Sequence, residues 1–280
     1  MDFQTVAFQG ESGAYSEQAA IEFHSQRILT LPCATFEDVF TSVSSRAADR
    51  GVIPVENSLA GSIHRNYDLM LRHELHITGE YYLRVSHCLL ALPGTRQDEI
   101  RRVHSHPQAL AQCESNMKRL GVETIPEADT AGSARQLAQH PDREVAVLAS
   151  RWAAEVYGLQ VLAENMEDNP ENYTRFLVLS CDPDQNSSTQ NGLYKTSVVF
   201  TLENKPGALF KALSVFALRE IDLTKIESRP VQGRPWEYLF YIDFAGNAES
   251  QVCRRALEHL AELAPYLRLL GSYPRHQYQH

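Results

Sequence analysis

Apolar residues recur along this chain in two rhythms that alternate. Short runs at 6–8, 28–31, 52–55, 145–148 and 176–179 read as strands, and a strand pair fits 75–92. Between them the spacing turns helical: a helix near 14–23 after a glycine-rich turn, one from Phe36 carrying Val39, Phe40, Val43 and Ala47, and one bearing Ile63, Tyr67 and Met70. Pro107 opens a further helix and Gly121 stops it, the usual asymmetry of helix ends. Strands alternating with helices predict parallel sheets covered on both faces. Such sheets bind ligands beyond the carboxyl ends of their strands.

The rhythm breaks once. From 182 to 192 the chain reads DPDQNSSTQNG, eleven residues with no hydrophobic member, which predicts a linker. Beyond it come a strand (196–201), a helix (208–219), strands (223–228 and 237–244), a helix (250–263) and a strand (266–270). That βαββαβ order is the split, ferredoxin-like arrangement. Charge changes across the linker too: residues 1–181 carry 15 basic and 24 acidic side chains, and residues 193–280 carry 11 and 9. The expected organisation is therefore a domain at 1–181 and a second at 193–280.

Composition narrows the class. The 280 residues are 43% hydrophobic and 22% charged, as in globular proteins. No apolar run reaches the ~18 residues of a membrane span. The start of the chain shows no basic-then-apolar signal segment. A net charge of -9 without basic clusters suits neither nucleic acid nor an anionic membrane. Five cysteines without a CxxC pair read as reduced thiols, so the expected location is cytoplasmic and no metal site is expected. Lys118, the only lysine before the linker, sits on a helix pattern, which argues against Schiff-base chemistry; no HExxH or GxSxG motif occurs.

Polar clusters fall where strands give way to helices. Gly10 to Ser16, including Ser12, forms a glycine turn and a helix start, which serves either as a plain tight turn or as an anion cradle. Glu56, Asn57 and Ser58 close a strand, as helix caps or as ligand contacts. Ser105, His106 and Gln108 surround the start at Pro107, with His106 as a cap, a base or a donor. Asp129 and Thr130 begin another helix. Arg175, between Thr174 and Phe176, offers a planar fork for a carboxylate or a surface ion pair.

Taken together, GESGAYS at 10–16, PVENS at 54–58, SHPQALAQC at 105–113, DTAGSA at 129–134 and NYTRF at 172–176 resemble the prephenate dehydratase family, in order and spacing. NKPGAL at 204–209 and ESRP at 227–230 resemble the two signature stretches of its regulatory ACT domain. The stretch ENSLAGSIHRNYDLMLRH at 56–73 looks like the plant arogenate dehydratase branch, whose transit peptide is not seen here.

The resemblance implies an α/β catalytic domain of two lobes, like a type II periplasmic binding protein (lobe 1 about 1–78 plus 160–181, lobe 2 about 79–159), and a ferredoxin-like ACT domain. It implies loss of carbon dioxide and water from prephenate to give phenylpyruvate, or from arogenate to give phenylalanine, with no cofactor. The essential hydroxyl falls on Thr174, with Glu56 and His106 as further proton-source candidates. Ser12, Asn57, Ser58, Ser105, Gln108, Thr130, Arg175 and Phe176 would bind substrate. Phenylalanine would act as effector at Asn204, Gly207, Ala208, Leu209, Glu227, Ser228 and Arg229, in a homo-oligomer paired through ACT domains, a tetramer before a dimer. The alternative class is a non-enzymatic, amino-acid-binding regulatory protein, since both folds also serve as sensors.

Overall fold

The computed structural model describes residues 3–24, 27–183, 194–231, 233 and 237–276; the expected linker lies outside these residues from 184 onward. The chain divides into two compact units. One holds the residues up to Glu74 together with Tyr81–Leu177, and the other holds Leu75–Glu80 and the residues from Val178.

In chain order the first part contains β1 (Gln4–Gln9), α1 (Tyr15–His24), β2 (Ile28–Cys33), α2 (Phe36–Ser44), β3 (Arg50–Asn57), the short β4 (Gly61–Ser62), α3 (His64–Arg72) and β5 (His76–Arg84). It continues with β6 (Cys88–Ala91), β7 (Arg102–Ser105), α4 (Pro107–Gln112), α5 (Glu114–Leu120), β8 (Glu123–Pro126), α6 (Thr130–Gln139), β9 (Val145–Ala149), α7 (Arg151–Tyr157), β10 (Gln160–Ala163) and β11 (Tyr173–Ser180).

These strands build two sheets. The first runs β2-β1-β3-β11-β5, with β4 hairpinned on β3, and the second runs β10-β6-β9-β7-β8. Each lobe thus places its second, first and third strands in order, then the strand arriving from the other lobe, then a fourth. This repeated order is the two-lobed, type II binding-protein arrangement.

Apolar runs explain the burial. In β9 every residue of VAVLA is buried. Val145, Val147 and Ala149 face a cluster with Ala134, Leu137 and Ala153, while Ala146 and Leu148 face another with Val103, Cys113 and Met117. A strand covered on both faces needs no alternation. In α2 the Thr35–Asp38 capping box fixes the start, and Val39, Phe40 and Val43 turn inward.

Several details differ from expectation. Pairing is parallel for β1 with β2 and β3 and for β7 with β8 and β9, but β6 runs antiparallel to β9 and β10, so the second sheet is mixed. The strands at 75–92 do not pair with each other. The chain leaves the first sheet after β5 and enters the second at β6. Gln160–Ala163, expected in the first lobe, pairs with β6 of the second, and β5 carries 79–84 into the first sheet. The expected single helix from Pro107 to Gly121 breaks at Cys113. Asp168 intercepts it: its N–H bonds the Gln112 carbonyl at 2.7 Å and its carboxylate takes the Ser115 N–H at 3.0 Å.

The C-terminal unit holds β12 (Tyr194–Thr201), α8 (Ala208–Ala217), β13 (Leu223–Pro230), β14 (Tyr238–Ala245), α9 (Gln251–Leu263) and β15 (Tyr266–Pro274). The sheet order β13-β14-β12-β15 is the ferredoxin-like one. Val198, Phe200, Ile242 and Phe244 pack under Phe216, Ala256 and Leu260. Leu75–Glu80 belongs to this unit for visible reasons. Lys195 Nζ meets Glu80 Oε2 at 2.7 Å with both side chains buried, and Arg268 donates to the Leu75 carbonyl at 3.1 Å. A side chain on Gly271 would stand 2.1 Å from the Ile77 carbonyl oxygen. No helix among the described residues is long and apolar enough to cross a membrane.

Candidate active site

A cleft of about 340 Å³ opens in the first unit at the carboxyl ends of β1, β3 and β7, where Gln9, Asn57 and His106 line it. This is the place that strand polarity reserves for ligands in open α/β sheets. Thr130 at the start of α6 and Gln112 at the end of α4 contribute from the second lobe, and Thr174 and Phe176 from β11. No lysine or arginine is among its lining residues, so an anion there depends on neutral donors and free helix N–H groups.

Thr174 is tied to Asn57, 117 positions earlier. Asn57 Oδ1 accepts the N–H groups of Leu59 (3.1 Å) and Ala60 (2.9 Å), which settles the orientation of the amide. Its Nδ2 therefore donates: to Asn172 Oδ1 at 2.8 Å and to Thr174 Oγ1 at 3.0 Å. A hydroxyl that accepts on its oxygen keeps its own proton for another partner. In this position, that partner is whatever occupies the cleft.

His106 combines two expected roles. Its Nδ1 accepts the Gln108 N–H at 3.2 Å, capping α4, and the ring also lines the cleft, as do Gln108 and Thr130.

Besides Arg175, four residues expected at the site do not line the cleft. Ser105 is fully buried and donates to the Leu148 carbonyl at 2.7 Å, bridging β7 and β9. Ser58 donates to the Glu171 carbonyl (2.7 Å) and accepts the Tyr173 N–H (2.9 Å), pinning β3 to the start of β11. Glu56, next to Asn57 on β3, is not among the residues that line the cleft. Ser12 offers its carbonyl to the Tyr157 hydroxyl at 2.7 Å, which docks its turn on the second lobe.

Sequence reasoning missed Tyr15, His87 and Gln112, which line the cleft, and Asn172, which is buried beside it. The Tyr15 hydroxyl lies 2.8 Å from His87 Nδ1, and His87 Nε2 lies 3.0 Å from Gln112 Oε1. Burial pushes the Tyr15 hydroxyl well above the usual phenol range and holds the His87 imidazole below its usual value. Tyr15 and Gln112 stand inside the GESGAYS and SHPQALAQC stretches, which was the available signal.

The C-terminal unit carries the expected effector residues. Thr201, Leu239 and Arg229 fall in one row across β12, β14 and β13. The loop leading to α8 and the Glu227–Arg229 segment therefore lie at the same end of the sheet, about 10 Å apart by strand spacing. Gly207, with φ of +79°, forms the turn before α8.

Comparison with known proteins agrees in register. The prephenate dehydratase family model matches residues 6–184 and the ACT domain model residues 196–257. Arogenate dehydratase/prephenate dehydratase 2 of Arabidopsis thaliana, a chloroplastic protein, is 50% identical over 278 residues, covering 96% of this chain and 72% of that one. This chain belongs to the prephenate dehydratase family. Among solved structures, the prephenate dehydratase of Arthrobacter aurescens in complex with L-Phe superposes with a TM-score of 0.87 at 32% identity, covering 97% of this chain and 90% of that chain. A protein described as a novel type of quorum-quenching acylase does so with 0.91 at 36% identity, over 98% of both chains.

Within the family's Thr-Arg-Phe stretch, strand geometry divides the labour. Thr174 and Phe176 face the cleft, and Arg175 between them points away. The Arg175 side chain is 4% exposed, with its guanidinium carbon 5.9 Å from the centre of the Tyr82 ring. Arg175 thus stands outside the lining of the cleft, packed within the sheet, and not where a carboxylate-binding role was expected to place it.

Proposed function

We propose that this protein removes carbon dioxide and water from prephenate to give phenylpyruvate, or from arogenate to give phenylalanine. The observation that carries the reading is the one-way Asn57–Thr174 hydrogen bond, which leaves the Thr174 proton for the cleft. As the ring carboxylate departs, its bonding electrons enter the ring and expel the 4-hydroxyl. Thr174 bonds that leaving oxygen ever more strongly as charge builds on it, and solvent restores the proton. Positioned donation of this kind contributes roughly 10²–10⁴ in rate. Aromatisation drives the step forward, so the chemistry calls for no redox partner. Gln112, Gln108, Thr130 and the first N–H groups of α6 supply neutral donors for the substrate carboxylates. Phe176 offers an apolar wall to the ring.

The regulatory reading assigns phenylalanine to the C-terminal unit, between the turn at Asn204–Leu209 and Glu227–Arg229 of a second subunit. It takes 193–280 as the regulatory domain, 1–181 as the catalytic one and 182–192 as their linker. Support comes from the edge strand β13 with its exposed Ile226, and from exposed Leu209 and Phe210 on α8. Pairing along these surfaces gives a homodimer, and two dimers a tetramer. Five unpaired cysteines fit a reducing, cytoplasmic setting.

Turnover of purified protein on prephenate and on arogenate, assayed separately, tests the reading; a mere amino-acid binder yields no aromatic product from either. Phenylalanine added to the same assay should inhibit, and Ser228→Ala with Asn204→Ala should weaken inhibition about tenfold, the equivalent of one or two hydrogen bonds. Likeness to the acylase also invites an amide-hydrolysis assay. Against that reading, Thr174 Oγ1 is bonded by the Asn57 amide rather than by a base.

A further inference from the structure

Asp129 immediately precedes α6 and is the only carboxylate among the described residues that line the cleft. No lysine or arginine of that lining offsets its charge. Of the other titratable groups there, burial favours the protonated Tyr15 hydroxyl and the neutral His87 imidazole, and His106 Nδ1 is engaged in capping α4. Asp129 Oδ1 accepts the Gly132 N–H at 2.5 Å, which caps α6. Asp129 Oδ2 takes no hydrogen bond from the described residues. It rests over Gly132, where an added Cβ would stand 2.6 Å away, so the helix start has to be bare for the carboxylate to lie as it does.

Capping alone does not call for a charge. Thr35, Ser150 and Ser250 cap α2, α7 and α9 with neutral hydroxyls. On the wall of a cleft, a carboxylate repels any anionic ligand, and more strongly where water is excluded. Prephenate brings two carboxylates and a keto group, so it meets that repulsion undiminished. Arogenate brings the same two carboxylates with an ammonium in place of the keto group, and the same charge then attracts it.

The two ends of the substrate also suit the two walls. The leaving hydroxyl and the amino-acid side chain sit para on the ring, at opposite ends of the molecule. Thr174 comes from β11 in the first sheet, whereas Asp129 comes from the start of α6, which packs on the second. Next to Asp129, the first N–H groups of α6 have no acceptor within the helix, so the carboxylate beside the ammonium finds donors there.

We propose that Asp129 is a specificity-determining residue, that it bonds the ammonium of arogenate through Oδ2, and that arogenate is therefore the preferred substrate. The proposal deepens the dehydratase reading and rests on it.

The test is steady-state kinetics of the full-length protein on each substrate separately. Wild type should show a kcat/KM for arogenate at least about tenfold above that for prephenate, the lower end of what a hydrogen bond to a charged group contributes. Asp129→Asn keeps a good helix cap and removes the charge. It should lower kcat/KM for arogenate about thirtyfold. The loss should fall chiefly on KM, because the ammonium takes no part in the elimination. For prephenate the same variant should raise kcat/KM about threefold as the repulsion is relieved. Asp129→Ser, which also caps, should repeat the change of preference. A role confined to capping would shift both substrates alike, and that result overturns the proposal. Should neither variant fold, the wild-type preference decides. Turnover of both substrates without a preference for arogenate overturns the proposal and leaves the dehydratase reading standing. Turnover of neither overturns that reading, and the proposal with it.

Discussion

The Tyr157 hydroxyl lies 2.7 Å from the carbonyl oxygen of Ser12, so α7 of the second lobe donates directly to the glycine turn of the first. Ser150 Oγ adds a bond to the Gly13 carbonyl at 2.8 Å, and Arg135 reaches Glu11 at 3.3 Å. Gly13 makes this closeness possible. Its φ is +90°, and a Cβ there would stand 2.9 Å from Ala153 Cα. Gly13→Ala should cost about 1–3 kcal/mol and lower the melting temperature by roughly 3–10 °C. An unchanged melting curve would mean that the lobes do not touch at this turn.

Thr174→Ala should lower kcat roughly 10²–10⁴-fold, the range of positioned proton donation. Thr174→Ser keeps the oxygen that Asn57 bonds and should retain activity within about tenfold. Steady-state kinetics on the preferred substrate check the pair. Similar losses in both variants would take the hydroxyl out of the chemistry.

Arg175→Lys should act on stability and leave substrate binding alone. A lysine retains the charge but loses the flat guanidinium over Tyr82, a contact of about 0.5–2 kcal/mol. Thermal unfolding should shift down by roughly 2–8 °C with KM within about twofold. A tenfold rise in KM at unchanged stability would return Arg175 to the cleft.

Acid should weaken the fold in a defined window. Burial, with a smaller contribution from Arg50, lowers the His24 imidazole from its usual 6.5 to about 4. His87 and His276 shift in the same direction, also chiefly through burial. Unfolded chains therefore bind more protons than folded ones below pH 6.5, and stability present above that pH is lost as pH falls toward 4. Denaturant unfolding followed across pH 7 to 4 should show the decline, and His24→Gln should flatten it. An identical slope in that variant would acquit His24.

Most of the scaffold was legible because it follows local rules. Asp129, Ser150 and Ser250 cap helices through their side chains, and Gly121 adopts the left-handed conformation that ends α5. The short β7 was not legible, since RVHS offers a single fully apolar residue. Nor was the break at Cys113, which depends on Asp168 arriving from another part of the chain. At the site, Thr174 stood out through its motif. Arg175 was misplaced although the two-residue period of a strand already separates neighbours onto opposite faces. The Tyr15–His87 contact joins residues 72 positions apart, and no spacing rule reports such a meeting.

The polypeptide passes between the lobes twice, along 85–87 and along 164–172; the first passage holds His87 and the second Asn172, and both meet the side chain of Gln112 on α4. Asn57 and Thr174, by contrast, stand on adjacent strands of one sheet, so the bond that orients the threonine hydroxyl lies wholly within the first lobe. Its readiness belongs to that sheet and not to the meeting of the lobes.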